Sequence, residues 1–270
     1  MGKLYVVGTP IGNLEDLTFR ALRILKEVSL IAAEDTRRAG LLTRRYGIDT
    51  PTTSYFEGNK LAKLDAIFGA LDAGDVALIS EAGMPGLSDP GYELIQTAIE
   101  RGYEVVPIPG PTAPVTALVV SGLPTDAFLF LGYLPRRESR RRRLLGSVAR
   151  EPLTIIVFET PHRLLESLAD IEAVLGDRPL ALCREMTKVH EEIWRGTVSE
   201  ARAVFEDRGP RGEFTLVIGG AVEEEQRWDE EQVRTALEDL LAKGMRRPDA
   251  AKRVAELSGW DRSAVYKLSL

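Results

Sequence analysis

Leu4-Tyr5-Val6-Val7-Gly8-Thr9-Pro10-Ile11-Gly12 is a short apolar run that leads directly into a glycine- and proline-rich turn. Two later turns of this kind, at residues 80–91 and 107–113, also follow apolar runs. The carboxyl ends of parallel strands border the ligand crevice of an open sheet, so we expect the three turns to share one edge and form a cleft. For any single turn the alternative remains open that glycine and proline only mark the end of a strand, as they do in any α/β chain.

Short apolar runs alternate with helical patterns along the chain, which is typical of βαβ units and a parallel sheet. A helix is predicted at Lys60–Ala73, for example, before a strand at Val76–Ile79. The fold class is therefore predicted as α/β, with two α/β domains and a small helix-turn-helix-like domain. The family resemblance given below implies that the ligand cleft lies between the two α/β domains. The expected parts are an N-terminal α/β domain at 1–118, a C-terminal α/β domain at 119–222, and an acidic linker with a small helical domain at 223–270.

Composition places the chain among cytoplasmic globular proteins. At 270 residues and 44% hydrophobic content it exceeds what one compact domain usually needs. Cys183 is the single cysteine, the first residues lack the layout of a signal peptide, and no apolar run approaches the roughly 20 residues of a membrane span. No metal is expected, because His162 and His190 stand far apart and the cysteine has no partner.

Charge is distributed unevenly along the chain. Lys and Arg number 35 and Asp and Glu 41, a net charge of −6. Residues 223–239 hold eight acidic side chains and two arginines, so the rest of the chain is neutral overall. Within that remainder two arginine groups are predicted to bind a polyanion such as a nucleic acid, the alternative being a solvated helix face. The first group is Arg136, Arg137, Arg140, Arg141, Arg142 and Arg143, and the second is Arg37, Arg38, Arg44 and Arg45.

The order and spacing of several motifs resemble the tetrapyrrole methylase superfamily, which comprises class III S-adenosylmethionine-dependent methyltransferases, and within it the branch that acts on small-subunit ribosomal RNA. The resemblance covers nearly the whole chain. It rests on the first turn with Asn13 and Leu14, Ala32-Ala33-Glu34-Asp35-Thr36-Arg37, Ser88-Asp89-Pro90-Gly91, Pro107-Ile108-Pro109-Gly110-Pro111, Gly122-Leu123-Pro124, Gly132-Tyr133-Leu134-Pro135, Glu159-Thr160-Pro161-His162-Arg163, Arg184-Glu185-Met186-Thr187-Lys188 and Arg211-Gly212-Glu213.

This resemblance implies S-adenosyl-L-methionine as donor, a homodimer, and the 2′-hydroxyl of a cytidine in the decoding region of 16S ribosomal RNA as acceptor. It also implies donor-binding positions: Pro10, Gly83, Met84, Pro85, Thr112, Ala113, Met186, Gly212, Phe214 and Thr215. One departure is visible, because family members usually read Ser-Asp-Ala-Gly-Thr-Pro where this chain has Ser80-Glu81-Ala82-Gly83-Met84-Pro85. Roles that depend on the aspartate or the threonine hydroxyl are therefore in doubt.

A ribose hydroxyl is a poor nucleophile, so a general base or a favourable field is needed. Glu34, Asp35 and Glu81 are the carboxylates nearest the predicted strand ends and are the catalytic candidates, with His162 as a weaker one. An ion pair between Asp35 and Arg37 is the structural alternative. Two other functions remain open: a tetrapyrrole methyltransferase, and a non-catalytic RNA-binding factor of ribosome assembly. Neither a membrane nor DNA is expected as a partner.

Overall fold

The computed structural model describes residues 2–222 and 228–268, apart from the side chain of Lys60. It divides into two compact units, Met1–Gly220 and Ala221–Leu270. The start of the predicted acidic linker, residues 223–227, lies outside the described residues.

The first sheet of the larger unit is entirely parallel and has the order β3-β2-β4-β1-β5. Its strands are β1 (Lys3–Val7), β2 (Leu30–Ala33), β3 (Thr52–Ser54), β4 (Val76–Ile79) and β5 (Glu104–Ile108). Its helices are α1 (Phe19–Glu27), α2 (Thr36–Tyr46), α3 (Lys60–Ala73) and α4 (Tyr92–Glu100), with a short 3₁₀ turn at Leu14–Asp16. Because β4, β1 and β5 are neighbours, the three turns that follow them lie side by side, which confirms the prediction of a shared edge.

Strand β4 shows why this edge is rigid. Val76 and Leu78 are buried in one core together with Leu94 of α4, whereas Ala77 and Ile79 are buried in the core on the opposite face. A strand that is covered on both faces has a continuous apolar sequence, because successive side chains point to opposite faces and both faces are buried. The turn after β4 is thus held in place by a strand that is packed on both faces.

The second sheet is mixed, as predicted, with the order β6-β7-β10-β8-β9. Its strands are β6 (Phe128–Tyr133), β7 (Thr154–Glu159), β8 (Pro179–Arg184), β9 (Glu192–Thr197) and β10 (Phe214–Ile218). The helices that accompany it are α5 (Ala113–Ser121), α6 (Glu138–Ser147), α7 (Leu164–Leu175) and α8 (Val198–Arg208). Only β6 and β7 pair in parallel; the other pairs are antiparallel.

Helix α5 joins the two sheets. The boundary predicted between residues 118 and 119 falls inside this helix. Ala117 and Leu118 are buried against Ile156, Ala181 and Val217 of the second sheet. The first sheet's last turn is therefore fixed to the second sheet by apolar packing directly after it ends.

The smaller unit consists of three helices, α9 (Glu230–Ala242), α10 (Arg247–Ser258) and α11 (Arg262–Leu268). Val233, Leu237, Val254 and Val265 form its core. The turn between α10 and α11 contains Gly259 at φ 67°. The predicted helix, glycine turn and helix are thus present, and none of the helices in the described residues is both long and apolar enough to cross a membrane.

Candidate functional site

A cleft opens where the turns of the first sheet meet the second sheet. It holds about 950 Å³ of space, including the part open to solvent. The first sheet contributes Ile11, Glu81, Ala82, Gly83, Met84, Leu87, Asp89 and the start of α5, and the second contributes Tyr133, Phe158, Cys183, Glu185, Met186, Lys188, Glu213, Phe214 and Thr215.

Backbone contacts hold the turns of the first sheet together at the cleft. Thr9 and Gly83 each donate an N–H to the other's carbonyl, at 2.9 and 3.0 Å. Gly83 has φ 77°, a left-handed conformation that glycine adopts without a steric penalty. A side chain at Gly8 would place its Cβ 2.8 Å from the Cα of Gly110, so the first and third turns can approach each other only as glycines.

Backbone strain is concentrated at the same place. Within the described part of the chain, three residues other than glycine have positive φ: Ser88 (66°), Glu185 (49°) and Thr187 (65°). All three lie in the segments that line the cleft. Each such conformation costs of order 1–3 kcal/mol and persists only where its surroundings impose it, often at functional sites. Here Glu185 is held from both sides, because its N–H donates to the carbonyl of Glu213 at 3.0 Å and its carboxylate accepts the N–H of Glu213 at 2.9 Å.

The cleft lining carries more carboxylates than cations. Glu81, Asp89, Glu185 and Glu213 face only Arg38 and Lys188. The Lys188 ammonium donates to Glu213 at 2.8 Å and to Glu185 at 3.0 Å. Burial by itself lowers the pKa of Lys188, but these bonds outweigh burial and raise it, so the side chain stays charged.

Asp89 is the carboxyl group most perturbed by this environment. Burial is the main cause that raises its pKa to about 7; the nearby Glu34, Glu81 and Glu213 carboxylates contribute to the rise, and a hydrogen bond with Ser80 partly opposes it. A carboxyl with a pKa near neutrality inside a cleft is a candidate acid or base. Asp89 belongs to the motif Ser88-Asp89-Pro90-Gly91 but is not among the predicted catalytic carboxylates, because its burial beside Glu34 and Glu213, which are distant in sequence, is visible only in the fold.

The three predicted catalytic carboxylates lie close together, but they differ in their surroundings. Asp35 caps α2, accepting the N–H of Arg37 at 2.8 Å and pairing with its guanidinium at 2.9 Å. The bond from the Arg37 side chain is the main cause that lowers the pKa of Asp35 to about 2. Asp35 therefore forms the structural ion pair with Arg37 that was the alternative to a catalytic role. A carboxylate with so low a pKa is also a poor base.

Glu34 and Glu81 are linked to one another. The N–H of Glu81 donates to the Glu34 carboxylate at 3.0 Å, and burial raises the pKa of Glu34. The Glu81 carboxylate lines the cleft and pairs with Arg38 at 2.6 Å. Of the three candidates, only Glu81 reaches the cleft wall.

Most of the predicted donor-binding positions also come together. Seven line the cleft: Gly83, Met84, Thr112, Ala113, Met186, Phe214 and Thr215. Pro10 lines a neighbouring pocket instead, while Pro85 and Gly212 adjoin lining residues without forming the wall themselves. Their contacts with a donor stay predictions.

The arginine run on α6 requires one correction. Arg141 is only 2% exposed, and its guanidinium bonds to Asp170 of α7 at 2.6 Å, so it cannot serve as an RNA-binding side chain. Arg142 also bonds to Asp170, at 2.6 Å, and pairs with Glu138. Arg142 is nevertheless exposed, as are the remaining predicted arginines: Arg37, Arg38, Arg44, Arg45, Arg136, Arg137, Arg140 and Arg143.

His162 is exposed at the start of a 3₁₀ turn, outside the cleft lining. No group of three or more His, Cys, Asp and Glu side chains able to hold a metal occurs in residues 2–222 and 228–268.

Two sheets of this topology, with strand-end turns forming a cleft between them, define a class of proteins. Residues 3–202 match the family model for tetrapyrrole (corrin/porphyrin) methylases, and the chain belongs to this family. Among solved structures, uroporphyrin-III C-methyltransferase from Thermus thermophilus, complexed with S-adenyl homocysteine, aligns with a TM-score of 0.56 at 21% identity. The alignment covers 81% of this chain and 97% of that one, which shows the fold.

More similar relatives place the chain within one branch of the class. A Synechocystis protein named ribosomal RNA small subunit methyltransferase I is 48% identical over 100% of this chain and 98% of its own. A Thermotoga maritima protein of the same name is 50% identical, over 82% of this chain and 99% of its own length. Within the tetrapyrrole methylases, the chain belongs to the ribosomal RNA small subunit methyltransferase I family.

Proposed function

We propose that this protein transfers a methyl group from S-adenosyl-L-methionine to small-subunit ribosomal RNA, and that the acceptor is the 2′-hydroxyl of a cytidine in the decoding region of 16S RNA. One observation carries the proposal: a single cleft combines a carboxylate-rich lining with the exposed Arg38 of α2 in its wall. The names of the full-length relatives support ribosomal RNA as the substrate class. The resemblance of the motifs supports the ribose hydroxyl.

The residues of the cleft fit the donor. S-adenosylmethionine carries a sulfonium and an ammonium, both cations, and the excess of carboxylates over cations in the lining favours them. Met84, Met186 and Phe214 offer apolar surface for an adenine ring, and Met186 and Phe214 are buried. The backbone around Gly83, free of side-chain bulk, would hold the methionine portion.

When bound, the donor supplies an electrophilic methyl group for in-line displacement. Most of the acceleration then comes from holding the acceptor oxygen in line with that group. We assign Asp89 as the general base that accepts the hydroxyl proton, because it lies in the cleft and a base is most effective when its pKa is near the working pH. The Arg38 guanidinium, fixed by Glu81 at 2.6 Å, would orient the acceptor strand at the cleft wall.

A homodimer and a cytoplasmic location form part of the same proposal. Both follow from the resemblance, and the single buried cysteine, Cys183, is compatible with a reducing compartment.

The direct test is to incubate the purified protein with isotopically labelled donor and small ribosomal subunits from cells that lack the gene, and then to map the label. We expect label on one ribose oxygen of 16S RNA. Subunits from cells that keep the gene are the matched control and should take up little label, since their site is already modified. Label on a base would refute the acceptor assignment, and calorimetric titration showing no donor binding would favour the non-catalytic assembly factor.

A further inference from the structure

A second concavity adjoins the cleft; we call it the side pocket. It lies between the turn after β1, helix α2 and the turn after β4, and holds about 770 Å³, including the part open to solvent. Five residues line both spaces: Ile11, Arg38, Glu81, Ala82 and Lys188. A molecule in the side pocket is therefore separated from the donor cleft by one layer of side chains.

The ion pair between Arg38 and Glu81 is part of that layer. Their side chains meet at 2.6 Å, and each lines both the cleft and the side pocket. The N–H of Glu81 donates to Glu34, which fixes the backbone of the pair. A polymer that reaches from the side pocket into the cleft crosses this shared layer, in which Arg38 and Lys188 are the cations.

The surface of the side pocket combines apolar area with positive charge. Leu42 and Ile79 are buried at its base, while Leu41 of α2 lines it and is 57% exposed. On a helix, residues four apart share a face, so Leu41 lies between Arg37 and Arg45 on one stripe. Both arginines are exposed. An apolar side chain flanked by guanidinium groups suits a ligand that is flat and apolar in one part and anionic in another.

A nucleotide in an RNA strand has this composition. Its base offers an apolar face and its phosphates are anionic, and sequence-specific RNA recognition mainly targets unpaired nucleotides that can be splayed out. Arg37 and Arg45 are placed for flanking phosphates and Leu41 for the base. We propose that the side pocket binds one unpaired nucleotide of the substrate RNA and so directs its strand past Arg38 into the donor cleft; this rests on the function proposed above.

The test is to introduce a negative charge into the pocket wall with Leu41→Asp. A carboxylate beside the bound strand repels its phosphates, so we expect the Kd for small-subunit RNA and the KM for the methylation substrate to rise about tenfold or more. The matched control is Leu61→Asp on α3, a leucine that is 73% exposed and lines neither space. The donor Kd should equal that of the wild type in both variants.

Salt dependence gives a second, independent measurement. For Arg37→Gln, we expect the slope of log Kd for RNA plotted against log salt concentration to be smaller by about one than in the wild type, because about one counterion fewer is released on binding. Equal RNA Kd and KM values for Leu41→Asp and Leu61→Asp would overturn the side-pocket assignment while leaving methylation intact. A wild-type protein that neither binds nor labels the RNA would overturn the proposed function itself.

Discussion

Asp89 combines a position in the cleft wall with a pKa raised to about 7 by burial. As the base, it must be ionised to act, so the methylation rate should rise with pH up to and through that value. Asp89→Asn should lower kcat by about 10²- to 10⁴-fold, the usual contribution of a general base, and should abolish the rising limb of the pH profile. Donor affinity measured at pH 6, where Asp89 is mostly protonated, should change little. A variant with wild-type kcat would remove Asp89 from the mechanism.

The same residue should make stability depend on pH. Its pKa in the folded protein lies above the value of about 3.9 expected in the unfolded chain, so folding favours the protonated carboxyl. That contribution is fully present below pH 4 and is lost as pH rises through 7. We therefore expect Asp89→Asn to have a higher Tm than the wild type at pH 8, with the difference disappearing near pH 4. The exposed Asp65→Asn on α3 serves as control, and a difference independent of pH would contradict the linkage.

Single residues also show where sequence reasoning reaches its limit. The run of six arginines was visible, but the charges opposite two of them were not, because Asp170 lies on α7, 29 positions from Arg141. A buried ion pair formed by distant segments leaves no local pattern. Asp35 illustrates the opposite case, since its spacing to Arg37 predicts the ion pair as a structural alternative, although not the helix cap.

The turn after β1 is the structural element whose position the cleft depends on most. Its Asn13 N–H donates to the Thr187 hydroxyl at 3.0 Å. A Cβ on Gly12 would lie 2.6 Å from that hydroxyl oxygen and 2.8 Å from the Met186 carbonyl oxygen, both in the facing cleft wall. Gly12→Ala should therefore push the walls apart, cost about 1–3 kcal/mol of unfolding free energy, and weaken donor binding about tenfold.

A matched substitution separates this effect from the general consequences of replacing glycine. A Cβ on Gly69, within α3, would meet nothing within 4 Å. Gly69→Ala should be neutral or stabilise by up to about 1 kcal/mol and leave the donor Kd unchanged. Equal donor affinities in the two variants would show that the turn after β1 does not shape the cleft. Calorimetry and chemical denaturation provide both measurements.

Elements differed in how far they could be predicted. Lys60–Ala73 and Val76–Ile79 have the predicted bounds, because periodicity and turn residues mark them clearly. Helix α2 was not assigned, since Thr36–Tyr46 is rich in arginine and buries only Ala39 and Leu42. The side pocket depends on that helix, and so it could not be foreseen. The shared edge of the three turns followed from the general rule for parallel strands, without knowledge of the strand order.

At the level of the whole molecule, the proposed chemistry belongs to one unit. Every residue that lines the cleft or the side pocket lies within Met1–Gly220, whereas α9, α10 and α11 have a core of their own. The Thermotoga relative aligns over 99% of its length but covers only 82% of this chain, so a family member of the same name has a shorter chain. The helical unit is therefore expected to be separable from donor binding.

This separation can be tested with a chain that ends at Gly220. We expect it to unfold cooperatively and to bind S-adenosylmethionine with a Kd within about twofold of the full-length value, because none of the groups assigned to the donor has been removed. Calorimetric titration and thermal denaturation are the measurements. Asp89→Asn, made in both the truncated and the full-length chain, is the internal comparison, because its effect on the Tm at pH 8 should be the same in each. A truncated chain that folds but binds the donor tenfold more weakly would show that the helical unit contributes to the cleft, and the assignment of the chemistry to a single unit would then be wrong.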